Sequence, residues 1–439
     1  MAFPTADHYG CASGGIIAAG RYVIPPQISG TAWTPDRDVN DNIVAGNWRG
    51  LPLNTWLTVS GHVLSDILEQ PPLYTVGGYL SAPGIFRVWC GAAWDHVNQK
   101  MFMSGGGHGG SHPCETGIYA LDAKTLKFTI AKPRTPTNQL QEWNETTLQF
   151  DAGFTTAVNP YNNPLINGDP SATHTYHSIL WVPPSVMGNT NGGVYIHGSA
   201  RNVFNLDTQA WMGNTFWIRP YLYAEGWLDY SNSAAFIDGS SIYGPYFSQY
   251  HWKYDLTQTQ ATYWSATSLG KFTAQHAATN RELRVGSSIW GTMPERRESY
   301  HICWNGIHTR IRYGQAIDAA ATVWNTYTDA ITLTSADGSH LDFNLTNLTD
   351  AAQLCAAGNV YDHDTQTLYL QGNLVGGFCY KVTGLSGNTW TTEKMAGTGA
   401  LKKCDNNTYG RMRMARLAGT KLLIRVSAIG DPVQVMRIA

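Results

Sequence analysis

The sequence predicts an all-β chain folded as a single six-bladed β-propeller. Three observations carry that expectation. A hairpin recurs six times, a third strand and an aromatic residue follow five of the copies, and a strand near the N-terminus resembles the outer strand that the sixth lacks. A period of about 40 or more residues that holds several short strands and no helix marks a propeller.

The elements follow in chain order. Residues 1–50 read as an N-terminal extension and 51–439 as the propeller. NTWLTVSG (54–61) resembles NTWTTE of the fifth unit and is assigned as the strand that completes the last blade and closes the ring. Closure removes the exposed sheet edges of an open array. The hairpins are AAWDHVNQKMFMSGG, ILWVPPSVMGNTNGGVYIHG, AAFIDGSSIYG, AATNRELRVG, NVYDHDTQTLYLQG and MARLAGTKLLIRVS. Each is a small-residue strand, a polar turn and an apolar strand that usually ends at glycine. They place the blades at about 85–132, 171–215, 228–268, 272–327, 353–395 and 404–439. Seven is the alternative count, if the fourth unit is two. In that unit either IHTRIRYG or SYHICWN supplies the third strand.

Insertions are expected at 133–170, 287–308 and 328–350, rich in Asn, Thr, Gly and Pro with interspersed aromatics. Loops this long in a compact domain usually make contacts or carry function. Asp122, Asp207 and Asp255 recur after third strands and read as turn formers. Trp211, Trp264, Trp324 and Trp390 read as packing residues between sheets, and Arg296 and Arg297 as part of a solvated loop.

Composition narrows the function classes. Hydrophobic residues make up 43%, enough for a large core, while charged residues are only 14%. A net charge of −2 argues against nucleic-acid recognition. No apolar run reaches the roughly 18 residues needed to span a bilayer. The N-terminus lacks a basic segment followed by an apolar run, so no secretory signal is expected. Seven cysteines without a CxxC pair fit reduced thiols, with Cys90 and Cys355 as buried small apolar residues.

A glycine doublet, an aromatic residue and a later tryptophan or phenylalanine recur. Gly106-Gly107, Tyr119 and Phe128 are one instance; Gly376-Gly377, Tyr380 and Trp390 are a looser one. His197-Gly198, Phe204 and Trp211 keep the spacing without the first glycine. This pattern resembles the kelch-type, galactose-oxidase-like propeller over roughly residues 54–439. The resemblance implies the fold and says little about chemistry, because such propellers serve as copper oxidases, sugar-acid epimerases, adaptors and tail proteins of tailed bacteriophages.

The kelch topology would crowd one rim of the channel with residues preceding the inner strands and following the second strands. The first set includes Arg87, His174, Tyr176, His177, Tyr230, Gln275, His276, Tyr409 and Arg411; the second includes His108, His112, His197 and Arg201. Three readings of that rim compete. The polar groups satisfy the channel backbone and bind water. Or His108, His112, His197, Arg201, Tyr230, His276, Tyr409 and Arg411 form a ligand rim, with Arg and His for carboxylates and aromatics for sugar faces. Or the rim is catalytic, with His174, Tyr176 and His177 moving a proton beside a carboxylate neutralised by Arg87. Within GGGHGGSH, His108 and His112 are the metal candidates, since neutral imidazoles suit a divalent or copper ion. The tyrosine–cysteine crosslink of a copper radical oxidase falls on no matching positions. Neither GxSxG nor HExxH is present.

The expected function is therefore a non-catalytic interaction propeller, a virion component made in the host cytoplasm. It would pack on other tail proteins or on itself and touch host glycans, with no cofactor. The alternative from another class is a carbohydrate-active enzyme, a polysaccharide lyase or metal-dependent sugar oxidase, with its site at the histidine-rich mouth.

Overall fold

The computed structural model describes residues 16–18, 21–23, 27–29, 32–68, 90–104, 117–134, 143–144, 149–150, 179–196, 202–212, 235–245, 250–256, 267–271, 288–303, 308–316, 324–336, 358–371, 379–395 and 408–439. Among these the chain is all-β, with a few short helical turns. Four-stranded antiparallel meanders recur along it. The first comprises Ala92–Asp95, Lys100–Ser104, Ile118–Asp122 and Lys127–Lys132. The second comprises Ile179–Val182, Gly193–Ile196, Asn202–Asn205 and Ala210–Trp211. The third comprises Phe236–Asp238, Ser241–Pro245, Tyr250–Asp255 and Thr267–Lys271.

The fourth meander runs through Ser288–Met293, Glu298–Cys303, His308–Ala316 and Trp324–Ser335. The fifth is Gly358–Asp362, Thr367–Gln371, Cys379–Thr383 and Thr389–Lys394. The two join into one eight-stranded sheet, because Thr332–Ser335 pairs in parallel with Thr389–Thr392. The last meander is Met412–Leu417, Thr420–Arg425 and Gln434–Arg437, and its fourth strand is Trp56–Val59 from the N-terminal side.

Turn chemistry explains why the first two strands fold back. In the first meander the Asp95 carboxylate accepts the Val97 and Asn98 amides at 2.9 Å, and the Gln99 amide donates to the His96 carbonyl at 2.6 Å. The fifth repeats the turn. Asp362 accepts the Asp364 amide and the Thr365 hydroxyl, and Gln366 donates to the His363 carbonyl at 2.8 Å. Gln99 and Gln366 both close their turns from the left-handed region, at φ 59° and 51°. The same aspartate logic holds after third strands, with a correction. The register partner of Asp122 in the second meander is Asn205, which opposes Gly193 as Asp122 opposes Lys100. Asp207 instead accepts the Thr190 and Asn191 amides of a neighbouring turn.

The first strands lie side by side. Ala92–Asp95 touches Ile179–Val182, which touches Phe236–Asp238, which meets the turn Pro294–Arg296. Ser288–Met293 touches Gly358–Asp362, which touches Met412–Leu417, and the turn Tyr409–Arg411 returns to Ala92–Asp95. The arrangement is a propeller-like ring of sheets. Two inner glycines allow the close approach. A Cβ on Gly291 would stand 1.9 Å from the Tyr300 hydroxyl, and one on Gly410 would stand 2.8 Å from the Arg413 guanidinium and 3.0 Å from Ala92.

The N-terminal segment ties the last meander to the first. Ala32–Thr34 pairs in parallel with Trp56–Val59, so the sheet grows to six strands with Gln27–Ser29 at its edge. Trp33, fully buried, meets Trp48 of the short helix Ala45–Gly50 edge to face, with centroids 5.1 Å apart. Arg37 donates to the Thr125 carbonyl at 2.7 Å, the Ile43 amide to the Lys124 carbonyl at 2.9 Å, and Asp41 pairs with Lys127. On the other side Arg49 donates to the Ala418 carbonyl at 3.0 Å, and Arg437 to the Leu51 carbonyl at 3.0 Å. Trp33, Trp48, Leu57, Met101, Leu121, Leu422 and Ile424 share one apolar core.

Two sequence readings change. Residues 288–303, read as an insertion at 287–308, form the inner hairpin of the fourth meander. SYHICWN lies largely in its second strand and IHTRIRYG in its third. AATNRELRVG, read as that hairpin, lies outside the described residues. The Pro-Glu-Arg-Arg turn carries no glycine or asparagine, so it escapes the usual hairpin signal; Arg297 itself adopts φ 53°. Nor are Arg296 and Arg297 solvated loop residues. Arg297 reaches the Tyr243 hydroxyl at 3.1 Å and Asp238 at 3.2 Å in the third meander. Arg296 reaches Gln366 and the Leu385 carbonyl, both at 3.0 Å, in the fifth.

Candidate functional site

Most of the rim set falls outside the described residues: Arg87, His108, His112, His174, Tyr176, His177, His197, Arg201, Tyr230, Gln275 and His276. Tyr409 and Arg411 form a one-turn helix that leads into the first strand of the last meander. Arg411 is fully buried, and its guanidinium donates to the Ser427 carbonyl at 2.9 Å. It braces the strand end that follows Arg425 instead of offering an exposed edge to a ligand.

Around it lies a buried polar network. Arg425, also fully buried, donates to Gln434 Oε1 at 3.2 Å and Thr408 Oγ1 at 3.5 Å. Ser427 donates to the same Gln434 oxygen at 2.9 Å. Next to this network, the Trp56 indole donates to Gln371 Oε1 at 2.9 Å, joining the N-terminal strand to the fifth meander. Hydrogen bonds to charged donors in low dielectric are worth more than neutral ones, so these contacts fix the strand ends.

A second cluster sits where inner turns meet. Asp362, fully buried, receives Arg416 at 3.0 Å and Lys421 at 2.6 Å from the last meander. Lys421 and Arg416 hold the Asp364 carboxyl below its usual range. The Arg416 amide donates to Gln99 Oε1 of the first meander at 2.7 Å. Between the fourth and fifth, Glu298 takes Arg296 at 3.1 Å, and Arg310 donates to Asn388 at 2.5 Å and the Leu385 carbonyl at 3.0 Å. These carboxylates are neutralised within the ring.

A third group was not singled out from the sequence. Tyr300 is fully buried over Gly291, with Asn359 Oδ1 also 2.5 Å from the point a Gly291 Cβ would occupy. Burial pushes its phenol well above the usual range. Arg413 donates to the Ala92 carbonyl, and desolvation lowers its guanidinium to about 10. The available signal was a pair of arginines, Arg413 and Arg416, in the apolar-framed MRMARL strand and a glycine inside the SIWGTM strand. Elsewhere, burial lowers His308 to about 4 and raises the Cys379 thiol. Cys90 is buried, as its sequence position suggested.

Among the described residues no three His, Cys, Asp or Glu side chains are placed to share a metal ion. No helix among them is long and apolar enough to cross a membrane.

No protein-family model matches the chain, and no curated protein matches it. Solved structures resemble it weakly and at low identity. A chain of the mitotic checkpoint complex is 9% identical with a TM-score of 0.38, over 86% of this chain and 99% of that one. PorZ, a surface component of the type-IX secretion system of Porphyromonas gingivalis, is 7% identical with a TM-score of 0.33, over 79% of this chain and 31% of its own. A chain from the S. cerevisiae complex of Dbp5 with Nup159, Gle1, IP6 and ADP is 6% identical with a TM-score of 0.35, over 93% and 84%. Likenesses of this size carry no functional argument.

Proposed function

We propose that the protein is a non-catalytic interaction scaffold: a closed, six-bladed, kelch-like propeller that serves as a component of a phage tail. Each four-stranded meander is one blade, and the Trp56–Val59 strand closes the ring. One observation carries the reading. Four described charged side chains at the inner turns reach across to other meanders: Arg296 to the fifth, Arg297 to the third, and Arg416 and Lys421 from the last to the fifth, while Arg411 braces its own meander. A ring braced in this way is a rigid platform, and recognition then belongs to its loops. The 133–170 insertion, with its Asn, Thr and aromatic residues, suits contacts with a neighbouring tail protein, a second copy or a host-surface glycan.

The test is mass photometry of the native protein, followed by metal analysis of the same sample. A defined oligomer, or incorporation into a virion, without stoichiometric metal supports the scaffold. A metal-loaded monomer overturns it, and polysaccharide-cleavage and sugar-oxidation assays with His108→Ala and His174→Ala follow.

A further inference from the structure

The fourth and fifth meanders share more than a border. The strand Trp324–Ser335 pairs with His308–Ala316 as far as Ile331, which lies opposite His308. Residues Thr332–Ser335 run past the start of that partner and pair in parallel with Thr389–Thr392 of the fifth meander. The Thr332 amide donates to the Asn388 carbonyl at 2.7 Å, and the Ala336 amide to the Thr392 carbonyl at 2.9 Å. Side chains add to this ladder. The Thr392 hydroxyl donates to the Thr334 carbonyl at 3.0 Å, and the Thr334 hydroxyl to the Trp390 carbonyl at 3.2 Å. Arg310 crosses the same seam to Asn388 and the Leu385 carbonyl.

The joined sheet also folds back on itself. Its two end strands, Ser288–Met293 and Gly358–Asp362, touch. Both meanders contribute to one apolar cluster, with Tyr300, Ile302 and Ile331 from the fourth and Leu370, Val382 and Trp390 from the fifth. Tyr300 and Trp390 meet edge to face across it, with centroids 5.7 Å apart. The pair is thus closed at its inner edge, in its core and at its outer edge. Moving one meander away from the other breaks the ladder and exposes the core in the same step, which is the condition for cooperative opening.

We propose that the fourth and fifth meanders form one cooperative unit, a folded eight-stranded sheet that opens as a single body within the ring. The long strand Trp324–Ser335 is the weld between its halves, and the unit of opening there is the joined pair.

The test is hydrogen exchange of the full chain, read by mass spectrometry over a series of urea concentrations below the unfolding transition. Glu298–Cys303 of the fourth meander and Thr367–Gln371 of the fifth should share one opening free energy and one urea dependence. Both should differ from those of Lys100–Ser104 in the first. Separate urea dependences for the fourth and fifth, or one common to all three segments, overturn the proposal. A substitution gives a second arm. Tyr369 belongs to the buried cluster that the fifth meander shares with the last, while its neighbours Leu368 and Leu370 belong to the cluster shared with the fourth. Tyr369→Leu therefore perturbs the fifth from its far face. It should speed exchange in the fourth and fifth meanders by the same factor, about tenfold for a usual core substitution, and leave Lys100–Ser104 unchanged. Acceleration confined to the fifth, or shared equally with the first, overturns the proposal. The urea series on the wild type stands even if Tyr369→Leu fails to fold.

Discussion

Trp56→Ala is the sharpest test of how the N-terminal strand holds the ring. Trp56 is fully buried and pairs opposite Met436. It belongs to one buried cluster with Val360, Tyr369, Met412, Met414 and Leu423, which spans the fifth and the last meanders. Truncating a buried tryptophan costs about 3–5 kcal/mol through lost transfer energy and the cavity left behind. Losing the indole bond to Gln371 adds about 1 kcal/mol. The expected loss is therefore about 4–6 kcal/mol, a large share of the usual stability of a folded domain. For 439 residues the unfolding entropy is about 0.9 kcal/mol/K, which converts the loss to a midpoint drop of about 5 °C. Calorimetry and urea unfolding followed by two probes would measure it. Trp56→Phe keeps most of the packing and should cost about 1–2 kcal/mol. Thr58→Ala, half-buried on the same strand, should stay within about 0.5 kcal/mol. If Trp56→Ala unfolds within 1 °C of the wild type, about the scan error, the strand does not hold the last meander and the reasoning fails.

Two further outcomes follow from the same geometry. Gly291→Ala puts a methyl against the Tyr300 ring and should cost about 1–3 kcal/mol in urea unfolding, whereas Gly387→Ala, whose Cβ would meet nothing closer than 3.9 Å, should be nearly neutral. His308 is buried and lowered to about 4 from 6.5, so the unfolded chain binds more protons between those values. Its contribution is fully present above pH 6.5 and is lost as pH falls toward 4. The loss is up to about 3 kcal/mol, and His308→Gln should flatten the pH dependence of stability in that window.

The hairpins were legible where their turns carried a local code. Asp95 and Gln99, like Asp362 and Gln366, announce the same turn because a side-chain acceptor and a left-handed residue are needed at fixed offsets. The N-terminal strand was legible because NTWLT repeats the outer-strand pattern NTWTT. The fourth inner hairpin was hidden, because its turn is set by tertiary ties. Arg297 tolerates φ 53° while held by Asp238 and Tyr243, residues far away in sequence. At the inner strands, position alone marked Arg411 as a rim residue. Its burial depends on how closely the Ala92 strand approaches, and a single strand's alternation does not encode its neighbour's distance. Tyr300 and Arg413 were missed for the same reason.

The charge distribution has a mechanical consequence. Only 14% of residues are charged, and among the described ones Arg310 and Asp362 are buried where two meanders meet. Apolar faces between stacked sheets hold them together without fixing their angle, because the hydrophobic effect is non-directional. A guanidinium aimed at a defined carbonyl does fix it. Arg310 on the Leu385 carbonyl sets one such angle, Arg411 on the Ser427 carbonyl sets a strand end, and Arg37 on the Thr125 carbonyl sets the clasp. Breaking one tie leaves a buried charge or carbonyl unmet, so a slip of one sheet is opposed at several points at once.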